Sequence, residues 1–160
     1  MADRCAILNR GKVAQIGTPR ELYEEPVDRF TAEFLGEANF FCGRVSNPHD
    51  VGSLEIELAE PEGTVWKAST GRPTDDGSEV LCMVRPESWA VDSDSPERVN
   101  RIEGRIVSSL YLGEVTQHTF VPDSAPSLEI EVLETAAPPR PSGRAVLSTT
   151  PESVVVLEGR

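Results

Sequence analysis

A mainly β fold is what this sequence predicts, and three observations carry that expectation. Twelve glycines and 13 prolines break the 160 residues into short segments. Beyond residue 40 apolar residues recur at every second position, as in Leu54, Ile56 and Leu58 with Glu55 and Glu57 between them, the spacing of a strand with one buried face. Helical spacing is confined to the stretch between Thr18 and Gly36. Many short antiparallel strands, preceded by a β-hairpin plus two short helices, satisfy all three.

The chain opens on two apolar runs, residues 4–9 and 12–16, joined by Arg10-Gly11, which reads as a hairpin. After Gly17, Thr18-Pro19-Arg20-Glu21 supplies a capping hydroxyl, a proline at the first helical position and a glutamate three after the cap. That helix is cut at Pro26. Val27, Phe30 and Phe34 then recur at helical spacing until Gly36, the residue expected to end the second helix.

Residues 37–41 are the join at which helical spacing gives way to alternation. Strands are expected at 41–46, 54–58, 64–68, 79–84, 105–112, 117–121, 127–133, 144–147 and 154–157. Leu81-Cys82-Met83-Val84 is apolar throughout, which suits a strand covered on both faces. Residues 47–52, 71–77, 92–100 and 136–143 are loops, the last unable to be a central strand because of Pro138, Pro139 and Pro141. An echo runs through this region. Gly43-Arg44-Val45, Ser53-Leu54-Glu55-Ile56-Glu57 and Pro86-Glu87-Ser88 return in the same order as Gly104-Arg105-Ile106, Ser127-Leu128-Glu129-Ile130-Glu131 and Pro151-Glu152-Ser153. A duplicated β unit, two halves closing one structure, accounts for the order; unrelated strand order in the two halves would refute it.

Several short motifs of the first 40 residues resemble one family. Ala2-Asp3-Arg4, Asn9-Arg10-Gly11-Lys12, Gln15-Ile16-Gly17-Thr18-Pro19, Leu22-Tyr23, Pro26, Phe30, Ala32-Glu33-Phe34-Leu35-Gly36 and Asn39 are similar to the end of the nucleotide-binding domain in ATP-binding subunits of ABC importers. The branch resembled is the polyamine, iron and sugar type, whose ATPase domain continues into a TOBE domain. Val84-Arg85-Pro86-Glu87, Tyr111-Leu112-Gly113 and Pro151-Glu152 extend the resemblance more thinly. It implies a division into residues 1–40, the C-terminal remnant of the nucleotide-binding domain, and residues 41–160, a TOBE-type β domain with an OB-fold-like antiparallel barrel.

The sequence departs from that family where the chemistry lies. It holds no Gly-x-x-x-x-Gly-Lys-Ser/Thr phosphate loop, no apolar strand ending in Asp-Glu, no LSGGQ-like signature and no switch histidine; its only lysines are Lys12 and Lys67. Phosphoryl transfer needs phosphate cradle, metal carboxylate and water-positioning group together, so no catalytic residue is assigned and no enzyme activity is expected of this chain. ATP and Mg are implied only for the complete family subunit, and no cofactor or metal is expected here. Met1 falls inside what the family reads as one continuous domain, which implies a truncated, split or internally initiated gene or a deliberately shortened chain.

Composition narrows the partners. The formal charge is −12, and residues 41–160 hold twenty of the 27 acidic groups against ten basic ones. Such a surface repels phosphate backbones, and no nucleic-acid partner is expected. A cationic ligand is compatible with it, although an acidic surplus is ordinarily a solvated face. Cys5, Cys42 and Cys82 are an odd number at wide spacing and read as buried reduced thiols. His49 and His118 lie far apart and suggest no metal centre. No apolar stretch approaches eighteen residues.

Three residues are candidates for a ligand or subunit contact: Arg85 and Glu87, which flank Pro86 where the apolar strand leaves the core, and Tyr111, which could present a ring at an edge. The bland alternatives are an Arg–Glu pair fixing the strand exit, and a Gly113 bulge beside a core Leu112. The resemblance implies the regulatory and assembly portion of an importer's ATP-binding subunit, with polyamine-type cargo. It implies a second ATP-binding subunit paired through the β domain, permease subunits, and a small-molecule or protein regulator as partners. The expected place is cytoplasmic, peripheral on the inner face of the membrane when assembled. The contrasting reading is a free-standing small-ligand or oxyanion-binding β module.

Overall fold

The computed structural model describes residues 3–48, 52–71 and 74–158; His49, like parts of the loops expected at 47–52 and 71–77, lies outside them. The hairpin forms as expected, β1 (Cys5–Asn9) pairing with β2 (Lys12–Gly17). Arg10 (φ 50) and Gly11 (φ 76) are both left-handed, the turn whose twist matches a two-residue hairpin. The capping box of α1 (Pro19–Glu24) is complete, Glu21 N donating to Thr18 Oγ1 (3.2 Å) and Thr18 N to Glu21 Oε2 (2.8 Å). Asp28 caps α2 (Arg29–Leu35), its Oδ1 accepting from Thr31 N at 2.8 Å. Gly36 ends α2 in extended backbone (φ 161) and not in the left-handed form expected of a C′ glycine. Phe34, placed on the helix's apolar stripe by its spacing, is 66% exposed, because a seven-residue helix buries only Thr31 and Ala32 fully.

The remainder is two curled five-stranded antiparallel sheets. The first holds β3 (Asn39–Pro48), β4 (Leu54–Leu58), β5 (Val65–Ala68), β6 (Glu79–Val84) and β12 (Val155–Glu158), in the order β12-β6-β3-β4-β5. The second holds β7 (Ala90–Val91), β8 (Asn100–Tyr111), β9 (Val115–Pro122), β10 (Ile130–Thr135) and β11 (Gly143–Thr149), in the order β7-β11-β8-β9-β10. Each half of the chain thus contributes four strands to its own sheet, makes a short 3-10 turn at Pro86–Ser88 or Pro151–Ser153, and passes its fifth strand to the other sheet.

The two halves are duplicates in topology. Both first strands carry a bulge at the same place, between Val45 and Asn47 in β3 and between Ile106 and Ser108 in β8. Gly43 and Gly104 also correspond. A Cβ on Gly43 would stand 2.7 Å from Ile56 Cγ2 and 2.9 Å from Glu57 O, and one on Gly104 would meet Val121 O and stand 2.6 Å from Phe120 Cζ, so each glycine permits close approach of the next strand. One part of the expected echo fails: Leu54-Glu55-Ile56-Glu57 is the second strand of its half, whereas Ile130-Glu131 opens the third. Alternation recurs in any half-buried strand and does not mark equivalence.

A single core fills the space between the sheets. Phe41, Trp66 and Trp89 meet edge to face with ring centroids 4.7 to 6.1 Å apart, and Ile56, Phe120, Ile130 and Leu147 are fully buried around them; each such side chain contributes roughly 1.5–3 kcal/mol. The all-apolar β6 is covered on its outer face as well, where Met83 packs with Ala32 of α2 and Leu157 of β12. Of the cysteines only Cys82 is buried; Cys42 is exposed and Cys5 half-exposed, because alternation along β3 turns Cys42 away from the core.

Candidate functional site

Arg85 leaves β6 in extended conformation (φ −69, ψ 145) because the 3-10 turn that follows begins with Pro86. Its side chain is 5% exposed and turns back beneath the helices. Nη1 donates to the carbonyls of Ala32 (3.0 Å), Gly36 (3.1 Å) and Glu37 (3.1 Å), and Nη2 to that of Tyr23 (3.1 Å). Tyr23 and Ala32 lie in the last turns of α1 and α2, whose carbonyls lack intrahelical partners, and Gly36 and Glu37 follow α2; one planar guanidinium gathers all four. The guanidinium carbon also lies 4.2 Å from the Tyr23 ring centroid. Burial pulls the Arg85 pKa below its usual range.

Glu87 completes the group, its Oε1 accepting from the Tyr23 hydroxyl at 2.5 Å. Burial, then the bond to Glu87, pushes the Tyr23 phenol up to about 12. Arg85 and Glu87 both bear on Tyr23, and Arg85 also on the end of the second helix. A cleft of about 740 Å³ opens beside them, with Glu24, Glu25, Glu87 and Glu152 on its walls. A larger groove, about 1010 Å³, lies between Phe30 and the outer face of β3, β4 and β6.

Tyr111 stands apart from this group, 58% exposed near the tip of the β8–β9 hairpin. It borders a shallow groove of about 830 Å³ with Gly113, Ala137, Pro138 and Pro139. Gly113 (φ +97) makes the turn itself, and Leu112 is 53% exposed instead of lying in the core, because both are past the last residue β8 pairs.

Two arrangements escaped the sequence reading. The first is a pair of buried asparagines that open β3 and β8. Asn39 Nδ2 donates to Glu131 O (2.8 Å) and Oδ1 accepts from Glu131 N (2.9 Å); Asn100 makes the same pair with Lys67 at 2.7 Å each. A carboxamide presents one donor and one acceptor as a peptide does, so each asparagine caps one residue on the edge strand of the other half. The signal was legible, since both residues stand four before the echoing glycines Gly43 and Gly104.

The second is a chain of polar groups across the end of the second sheet. Ser109 Oγ lies 2.7 Å from His118 Nδ1, and His118 Nε2 lies 3.0 Å from Glu134 Oε2. Arg140 clasps Glu134 at 2.7 and 3.0 Å, and this guanidinium holds the Glu134 carboxyl below its usual range. His118 is wholly buried with both ring nitrogens engaged, an arrangement that ties the proline-rich loop to β9 and β10. His118 sits at an inward position of β9, where alternation marks a core residue. Among the described residues no group of three or more His, Cys, Asp or Glu is arranged to hold a metal ion, and no helix is long and apolar enough to cross a membrane.

The architecture defines an internally duplicated antiparallel β unit to which a hairpin and two helices are joined through Arg85, the Tyr23–Glu87 bond and the packing of Ala32 on Met83. Residues 82–157 match the TOBE domain family. The chain is similar to proteins described as spermidine/putrescine import ATP-binding protein PotA. Against that of Haemophilus influenzae it is 34% identical over 120 residues, covering 74% of this chain and 32% of the relative. For Nostoc the values are 32% identity, 84% and 35%, and for Methylococcus capsulatus 30% identity, 98% and 41%. Among solved structures, the cytoplasmic molybdate-binding protein ModG with molybdate bound matches at a TM-score of 0.62 and 18% identity, over 76% of this chain and 96% of that one. The chain belongs with the TOBE-containing C-terminal part of ABC importer ATP-binding subunits. It spans about a third to two fifths of the length of the relatives it matches (32%, 35% and 41%).

Proposed function

We propose that this chain forms the regulatory and assembly portion of an ABC importer's ATP-binding subunit, with a polyamine-type solute as cargo. The observation that carries the regulatory reading is the Arg85–Tyr23–Glu87 joint, which fastens the hairpin and helices to the β domain through buried contacts. A β domain so fastened can bias a neighbouring domain between two states only through contacts that differ in those states. Residues 1–40 are then the tail of the nucleotide-binding domain and residues 41–160 the regulatory domain. Leu8, Val13 and Ile16, exposed together on the hairpin, would be covered by the rest of that domain. Nucleotide turnover with ATP and Mg, the second ATP-binding subunit and the permease subunits belong to the complete assembly, in which this chain is cytoplasmic and peripheral on the inner face of the membrane. Glu87 and Tyr111 are subunit or ligand contacts in this reading, whereas Arg85, buried and engaged by four carbonyls, acts through the helices it holds.

The polyamine preference is supported by the names of the relatives and by the −12 charge, which suits a cationic solute. A second reading, a free-standing oxyanion-binding module, is favoured by the fold shared with the molybdate-binding protein and opposed by the same charge. Isothermal titration of the chain with spermidine, putrescine, molybdate and phosphate separates them. Submicromolar molybdate or phosphate binding would overturn the importer reading. Heats for polyamines at or above the micromolar range, with none for the anions, are the expected result.

A further inference from the structure

Three planar polar side chains bridge successive elements between the hairpin and the second half of the β domain. Gln15 of β2 spans the break between the helices, Nε2 donating to Glu25 O and Oε1 accepting from Val27 N, both at 3.0 Å. Arg85 then collects the carbonyls of Tyr23 in α1 and of Ala32, Gly36 and Glu37 at the end of α2. Two residues after Glu37, Asn39 pairs with Val84 in the sheet and through its side chain with both backbone groups of Glu131. Glu131 in turn organises the outer face of β9, Oε2 accepting from Gln117 Nε2 (2.8 Å) and Oε1 from Thr119 Oγ1 (3.2 Å). The bonds made by Gln15, Arg85 and Asn39 all go to backbone and come from groups of fixed plane, so the elements they join are held in orientation as well as position.

The internal duplication supplies a built-in comparison. Asn100 holds Lys67 as Asn39 holds Glu131. Yet Thr150 occupies the place in the second half that Arg85 occupies in the first, each being the residue that leads into the Pro-Glu-Ser turn. The asparagine locks are common to both halves, while the arginine and the helices it gathers belong to one. An edge-capping role alone would need only the locks.

We propose that Gln15, Arg85 and Asn39 form a relay that transmits displacement of the β1–β2 hairpin to strand β10, through Glu131, and leaves its counterpart β5 unmoved. This goes beyond the transported solute and holds whichever cargo the assembly carries. The physical requirement is that loosening any early link loosens the Glu131 amide, which is held by a side chain on the relay, and spares the Lys67 amide, which is held off it.

Amide hydrogen exchange by NMR on the whole chain reads the two amides side by side. Asn39→Ala removes the last link directly and sets the upper limit for Glu131. Arg85→Lys, which keeps the charge and loses the fork, is expected to raise Glu131 exchange roughly tenfold while Lys67 changes less than about twofold. Gln15→Ala lies at the surface end of the relay and is expected to act on the same amide in the same direction, by about threefold. It serves as the second variant should Arg85→Lys fail to fold. Unchanged Glu131 exchange in Gln15→Ala, or equal acceleration at Glu131 and Lys67 in either variant, would overturn the relay.

Discussion

Glu134 shows how one residue's neighbours set its contribution to stability. Arg140 and then His118 hold its carboxyl below the ordinary value of 4.5, so ionised Glu134 is favoured in the folded chain. Stability from this source is complete above pH 4.5 and is lost as pH falls through the depressed folded value. Glu134→Gln is therefore expected to lower the urea midpoint at pH 7 and to flatten its decline below pH 4.5, measured by denaturation across a pH series. Tyr23 has the opposite sign, because burial and Glu87 raise its phenol from 10.0 to about 12. Its contribution is complete below pH 10 and disappears as pH rises towards 12. Tyr23→Phe should remove that alkaline loss in the same kind of series.

At the scale of elements, the first strand of each half depends on a glycine that lets its neighbour close in. Placing a methyl on Gly104 drives it against the Val121 carbonyl and the Phe120 ring, and on Gly43 against Ile56 and the Glu57 carbonyl. Gly104→Ala is expected to destabilise by about 1–3 kcal/mol and Gly43→Ala by a comparable amount, read from the urea midpoint followed by fluorescence of the buried Trp66 and Trp89. The hairpin, capping box and the strands Leu54–Leu58 and Glu79–Val84 were legible because each rests on local signals: a turn dipeptide, a cap at fixed spacing, alternation in the first strand and an apolar run in the second. Ala90–Val91 was not, since a two-residue strand has no periodicity and exists only because β11 pairs with it. Position at a strand exit singled out Arg85 and Glu87 as candidates; their partner Tyr23 lies 62 and 64 residues away, beyond any local pattern.

For the whole molecule the exchange of fifth strands is the governing feature. β7 completes the second sheet and β12 the first, and one core joins both, so neither half closes its sheet alone. The β domain is expected to unfold in a single calorimetric transition with equal van't Hoff and calorimetric enthalpies. Two separated transitions would show that the halves are independent units.

By itself the sequence determined the kinds of element, most of their bounds, the duplication and the family, because caps, turns, alternation and short motifs act over a few residues and survive without long-range contact. Tertiary structure alone decided which residues work together. Arg85 beneath two helix ends, Asn39 and Asn100 on each other's edge strands, and His118 between Ser109 and Glu134 join positions that only strand pairing and sheet packing bring within hydrogen-bonding distance, and a hydrogen bond falls off too steeply with distance and angle to be read from order along a chain.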